Sequence, residues 1–143
     1  MAATTERNFS TRLGSERATI THDTLDASQT IYAGSIGVNL AGKARKYVAN
    51  TAGQTLLGMA PATYKETTGV AVTYEVGDRL AFRRGACSFK NSTGNAVTDT
   101  QIGKLVRLED EDTVSSAAIG GDDLSVRLLG FDNDTGLPVC EVE

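Results

Sequence analysis

The residues of this chain with most chemistry to offer are one histidine, two cysteines and short clusters of carboxylates. His22, in Thr21-His-Asp-Thr24, is the single imidazole. A Ser- or Cys-based hydrolytic mechanism would need that ring held rigidly beside a nucleophile and an orienting acid. It stands in a polar N-terminal stretch with no core of its own, so the expectation is an exposed or partner-contacting side chain. Cys87 lies between Ala86 and Ser88 in a strand-like run and belongs to no Cys-x-x-Cys motif, which favours a small core residue over a nucleophile. Cys87 and Cys140 can pair in principle. The N-terminus, Met1-Ala-Ala-Thr-Thr-Glu-Arg-Asn-Phe-Ser10, has an early acid and no apolar h-region, so it does not read as a Sec-type signal. Synthesis in a cytoplasm is the expectation, and with it free thiols.

Carboxylates gather at Glu109-Asp-Glu-Asp112, at Asp122-Asp123 and in Asp132-Asn-Asp-Thr-Gly136. Oxygen-rich clusters bind hard cations, yet the last of these fails the calcium-loop pattern: Gly136 falls where a ligand is needed and Leu137 where the obligatory glycine should stand. Solvated turns account for all three. Gly34-Ser-Ile-Gly37 lacks the spacing, the helix and the Lys-Ser/Thr of a phosphate loop, and reads as a turn or bulge in a bent strand. Tyr32, Tyr47, Tyr64 and Tyr74 suit core and cross-strand packing better than a sugar-stacking platform. The sequons at Asn8, Asn91 and Asn133 read as arm and turn residues. No catalytic residue, metal ligand or cofactor is assigned, and the chain is not expected to be an enzyme.

Positioning elements follow from composition. The 143 residues are 40% apolar and 22% charged, with net charge −4, and basic residues concentrate only at Lys43-Ala-Arg-Lys46 and Arg83-Arg84. Nucleic acid is therefore a poor partner, and no apolar run is long enough for a membrane span. Residues 1–30 are polar with irregularly spaced apolar residues and read as an extended arm; residues 31–143 form the core domain. There, β-branched and aromatic runs alternate with Gly, Asn and Asp punctuation. The expected strands are Ile31–Leu40, Arg45–Ala49, Leu56–Ala60, Val70–Val76, Arg79–Phe89, Lys104–Leu108, Asp123–Phe131 and Leu137–Val142. The clearest is Val70-Ala-Val-Thr-Tyr-Glu-Val76, whose alternate residues share one face. Asn39–Lys43 and Asp132–Gly136 read as hairpin connections, and Thr98-Asp-Thr-Gln101 as a capped helical turn. The fold class expected is all-β: a small β-barrel or β-sandwich of about eight short, sequentially paired strands with an extended N-terminal arm.

Several of these segments stand in an order found elsewhere. Glu6-Arg-Asn8, Ile31-Tyr-Ala-Gly34, Leu56-Leu-Gly-Met-Ala60, Phe82-Arg-Arg-Gly85 and Ala96-Val-Thr-Asp-Thr-Gln-Ile-Gly-Lys-Leu-Val106 together resemble the decoration (cement) proteins of tailed-bacteriophage capsids. Each motif is made of ordinary strand and turn residues; order and spacing carry the likeness. The resemblance departs from that family at Lys90–Asn95 and Val114–Gly121. It implies a structural virion protein on the outer surface of the expanded capsid, bridging neighbouring major capsid protein subunits. It also implies a homo-oligomer, a trimer before a dimer, with Arg7, Asn8, Phe9 and Arg12 in contact with the capsid. The alternative is a receptor- or carbohydrate-binding β module of a phage or bacterial surface structure.

Overall fold

The computed structural model describes residues 16–143, with side-chain surroundings described from residue 19. The capsid-contact residues expected at Arg7, Asn8, Phe9 and Arg12 lie outside the described residues. The chain is all-β. Its strands are β1 (Glu16–His22), β2 (Thr24–Leu25), β3 (Thr30–Ile31), β4 (Ile36–Leu40), β5 (Lys43–Lys46), β6 (Thr55–Met59) and β7 (Tyr64–Lys65). They continue with β8 (Val72–Thr73), β9 (Leu80–Ser88), β10 (Lys90–Asn91), β11 (Leu105–Leu108), β12 (Thr113–Ser115), β13 (Ser125–Phe131) and β14 (Pro138–Val142). Among the described residues one 3-10 turn, Asp99–Gln101, sits where the Thr98–Gln101 spacing placed it, with Gln101 Oε1 accepting the Thr98 N–H at 2.7 Å.

Most strands form one sheet of order β10-β12-β11-β13-β14-β9-β6-β4-β5-β2-β8, with β1 also on β9 and a separate β3–β7 pair. The sheet is not a closed barrel: β10 and β8 end it. Pairing is partly sequential, as in β4–β5 and β13–β14, and partly not, since β2–β5 and β10–β12 are parallel. The β4–β5 connection is a two-residue turn, Ala41 at φ 54° and Gly42 at φ 80°, the left-handed pair whose twist suits antiparallel strands.

β9 is the spine. Gly85 pairs with both Glu16 and Val142, and Arg83 with both Thr19 and Met59, so β6 and β14 share one edge of β9 while β1 takes the other. The close approach of β6 demands glycine: a Cβ on Gly58, at φ 144°, would stand 2.6 Å from the Arg83 carbonyl oxygen. β9 thereby joins a half made of β4–β6 to a half made of β11–β14. The halves fold onto each other, because Ile36, Val38 and Tyr47 of the first share a core with Val106, Leu108, Val126 and Leu128 of the second. A smaller core, Leu25, Ile31, Ala44, Leu57, Leu80 and Phe82, lies beside the first half.

The arm expected over residues 1–30 differs from the fold wherever it is described. From Glu16 onward that stretch is β1, β2 and β3, hydrogen-bonded to β9, β5 and β7 respectively, with Leu25 and Ile31 fully buried. Polar residues on the outward face of β1 hid it from a search for apolar periodicity. The long strand expected over Ile31–Leu40 is broken into β3 and β4 by a turn at Ala33-Gly34, with Gly34 at φ 86°. The phosphate-loop look-alike Gly34–Gly37 is that turn together with a register shift at Gly37/Val38.

Candidate functional site

His22 closes β1 and is largely buried, its side chain 12% exposed. Its Nε2–H donates to Asn39 Oδ1 at 2.8 Å, and Nδ1 accepts the Thr24 N–H at 3.0 Å. This corrects the exposed placement expected from sequence: Nδ1 closes the β1–β2 corner and Nε2 fastens that corner to β4.

Cys87 and Cys140 stand directly opposite each other on β9 and β14. Phe89 N–H donates to Pro138 O at 2.9 Å, so residues 89 and 138 are a hydrogen-bonded antiparallel pair. By alternation 87 and 140 are another, with Cα atoms about 5.5 Å apart and Cβ atoms wider than the roughly 3.5–4.5 Å of a disulfide. Both thiols are free, and burial pushes each up to about 12, with Cys87 adding to the rise at Cys140. A thiol held this far above its ordinary range carries little thiolate at neutral pH and is a poor nucleophile.

The carboxylates are spent on the fold. Glu66, 5% exposed, accepts the amides of Ser28 at 2.6 Å, Thr68 at 2.6 Å and Gly69 at 3.0 Å, and the Thr68 hydroxyl. Led by the Ser28 amide, these donors lower its pKa to about 2 and lock the turn at Ser28, φ 60°, onto the end of β7. Asp123, its side chain 2% exposed, accepts Arg107 Nε at 2.8 Å and the amides of Asn50 at 2.9 Å and Gly120 at 2.9 Å. Burial raises its pKa, but Arg107 and the two amides outweigh burial and leave it below the ordinary value. Asp132 accepts the amides of Asp134 at 2.7 Å and Thr135 at 3.0 Å, an Asx turn closing the β13–β14 hairpin, which is what the sequence led us to expect there.

In the run 109–112, Glu109 takes the Ser92 hydroxyl, Glu111 faces Lys46 and Asp112 faces Lys90, each pointing a different way. No group of three or more His, Cys, Asp or Glu capable of holding a metal occurs among the described residues. Asn91 bridges its own loop, accepting the Val97 N–H at 2.8 Å and donating to Val97 O at 3.1 Å. Arg84 donates to the carbonyls of Leu57 at 2.9 Å and Leu56 at 2.7 Å.

Tyr47, 1% exposed, has its hydroxyl between the two halves of the sheet, donating to Leu108 O at 2.9 Å and accepting the Leu124 N–H at 3.2 Å. Tyr64 is half-buried, edge-on to Phe82 with ring centroids 5.7 Å apart, and Tyr74 packs against the smaller core. Tyr32, 60% exposed, is the one tyrosine of the four that faces solvent, so the tyrosines build no stacking platform. A groove of about 260 Å³ beside β4 and β5 is lined by Val38, Leu40 and Val48 together with Arg45, Lys46 and Gln54. Its polar lining groups are engaged within the chain: Arg45 with Asp26 at 3.2 Å, Lys46 with Glu111 at 3.7 Å, and Gln54 with Val48 O at 2.8 Å.

Sequence reasoning passed over Glu66 and placed Asp123 in a solvated turn, whereas its side chain is buried on Arg107; Tyr47 packs in the core as expected, and its two hydrogen bonds were not foreseen. The available signal for Glu66 was Glu66-Thr-Thr-Gly69, an acid three residues before a turn glycine. No family model, no curated protein and no solved structure matches the chain. No helix among the described residues is long and apolar enough to cross a membrane.

Proposed function

We propose that this chain is a non-enzymatic structural protein of a tailed-phage virion, which binds the outer surface of the expanded capsid and bridges neighbouring major capsid protein subunits. The observation that carries this reading is the ordered set of segments from Glu6-Arg-Asn8 to Ala96–Val106 that resembles capsid decoration proteins. The way polar side chains are used supports it. His22, Glu66, Arg84, Asn91 and Asp123 all bind backbone groups of distant or turning segments, which makes a stiff body suited to carrying load. Tyr32, exposed beside the fully buried Ile31, is an anchored aromatic of the kind that contributes strongly to protein contacts.

A protein that binds only the expanded lattice stabilises it by mass action. A homo-oligomer, a trimer or a dimer, engages several subunits at once and gains avidity through effective concentration. Arg7, Asn8, Phe9 and Arg12 supply part of the capsid contact.

The test is co-sedimentation of the full chain with expanded shells lacking it and with unexpanded procapsids, beside a variant carrying alanine at residues 7, 8, 9 and 12. Saturable binding to expanded shells alone, weakened at least tenfold in the variant, is the expected result. Failure to bind either shell overturns the proposal, and recognition of immobilised glycans in its place would select the receptor-binding module. Equal binding by the variant would remove the four residues from the contact.

A further inference from the structure

Cys140 is the middle of the inward row Pro138, Cys140 and Val142 of β14, all three buried. Cys87 stands opposite it on β9, and directly opposed residues of an antiparallel pair point to the same face, so both thiols are aimed at the core. Both are free, and they are the two cysteines of the chain. Cys140 is fully buried, whereas Cys87 is only partly so and opens the pair to small solutes.

The span between them excludes one bond and suits another. In a hydrogen-bonded antiparallel pair the Cβ atoms are about 5 Å apart or slightly more, and sulfurs carried on parallel Cβ directions keep about that separation. A disulfide needs its sulfurs about 2 Å apart. Two metal–thiolate bonds of about 2.3 Å laid end to end set the sulfurs about 4.6 Å apart, with the metal midway. The register that disfavours a disulfide therefore fits a metal in linear two-coordination.

The surroundings select the ion. No group of three or more His, Cys, Asp or Glu able to hold a metal occurs among the described residues, so an ion that demands four ligands, as zinc does, is not served. The buried cluster that contains Cys140 is built of apolar and aromatic side chains, Phe89, Val126, Leu128 and Val142 among them. A net charge left in such a place is costly. A monovalent ion on two thiolates leaves one negative charge there; a divalent ion leaves none.

We propose that Cys87 and Cys140 form a binding site for a soft divalent cation held linearly between two thiolates, the coordination that mercuric ion takes. Two S–H bonds are exchanged for two S–metal bonds, two protons leave to solvent, and no electron changes hands. The ion clamps β9 to β14. Both thiols are pushed up to about 12, so both protons are in place at neutral pH and both must leave; affinity therefore falls about a hundredfold for each unit by which pH is lowered. The site rests on the β9–β14 register and is independent of the capsid reading.

The experiment is titration of the reduced full chain with mercuric chloride, read by the ultraviolet thiolate-to-metal charge-transfer band, by the protons released into weak buffer, and by Tm. Saturation at one ion per chain, release of two protons per ion and a rise in Tm are expected, with excess zinc leaving the titration unchanged. Cys87→Ala and Cys140→Ala each keep one sulfur, and circular dichroism checks that they are folded; where one does not fold, the other carries the comparison. Each should hold the ion at least about a hundredfold more weakly against a competing monothiol, because the second sulfur no longer acts at high effective concentration. Two ions per chain, one proton per ion, a band that forms only once the chain unfolds, or a folded variant that holds the ion as firmly as the parent would overturn the proposal.

Discussion

Replacing Tyr47 by phenylalanine removes one oxygen from the seam between the two halves of the sheet and leaves the ring, 1% exposed, in its packing. That oxygen makes two hydrogen bonds to backbone groups of the other half, 2.9 Å to Leu108 O and 3.2 Å from Leu124 N. Each bond contributes about 1 kcal/mol net, and a buried group left without a partner costs about 1–3 kcal/mol. Leu108 is fully buried, while Leu124 is half-buried and within reach of water, so the loss should be about 2–3 kcal/mol. For a domain of this size that is a fall of roughly 6–10 °C in Tm, or of about 1–2 M in the urea midpoint with unchanged slope. Burial is the leading cause that holds the Tyr47 hydroxyl above its ordinary 10.0. A group whose pKa is raised on folding contributes fully below its unfolded value and loses that contribution as pH climbs past it. The deficit of Tyr47→Phe should therefore be complete at neutral pH and shrink in strongly alkaline solution. Equilibrium urea unfolding followed by far-UV circular dichroism measures it, and a change below about 0.5 kcal/mol at neutral pH would refute the view that this hydroxyl holds the halves together.

Three further outcomes are expected. Gly58→Ala sets a Cβ 2.6 Å from the Arg83 carbonyl at φ 144°, and should destabilise by about 2–4 kcal/mol by the same unfolding measurement. Glu66 has its pKa lowered to about 2 from 4.5, so its contribution is present above pH 4.5 and is lost as pH falls toward 2; Glu66→Gln should flatten the acid limb of a Tm-against-pH series over that window. Cys87 and Cys140 should resist a chromogenic disulfide reagent at pH 8 in the native state and react fully in guanidinium, whereas rapid labelling of either in the native state would contradict their burial and thiol pKa of about 12.

Strand identity was legible wherever apolar residues ran in sequence. Leu56–Ala60, Arg79–Phe89, Lys104–Leu108, Asp123–Phe131 and Leu137–Val142 each contain or overlap the observed β6, β9, β11, β13 and β14. Local turn chemistry was equally plain: the Asn39–Lys43 hairpin, the Asp132 Asx turn and the Gln101 contact to Thr98 involve residues a few positions apart. Such features depend on backbone preferences that a residue carries with it. β1 was not legible, because Glu16–His22 is largely polar and earns its place by pairing with β9, its partners running from Gly85 opposite Glu16 to Leu80 opposite His22. Val70–Val76 showed the reverse: the alternation led us to expect a seven-residue strand, yet only Val72–Thr73 is strand, because Val70 lies in a bend after Gly69, φ 83°, and Val76 lies in the turn closed by Asp78 N–H on Glu75 O at 2.9 Å.

The candidate chemistry divides the same way. Sequence alone set the inventory of one histidine, two thiols and scattered carboxylates, and with it the kinds of site that are conceivable. Whether His22 was free, whether Cys87 met Cys140 in a geometry able to bond, and whether Glu66 or Asp123 faced solvent were decided by contacts across 17 to 73 positions. Those contacts exist because β9 holds β1, β6 and β14 together and folds one half of the sheet onto the other. Composition and local spacing determined most of the apolar strands and the tight turns of this chain; only long-range pairing, much of it through β9, determined which of its polar groups are consumed in the fold.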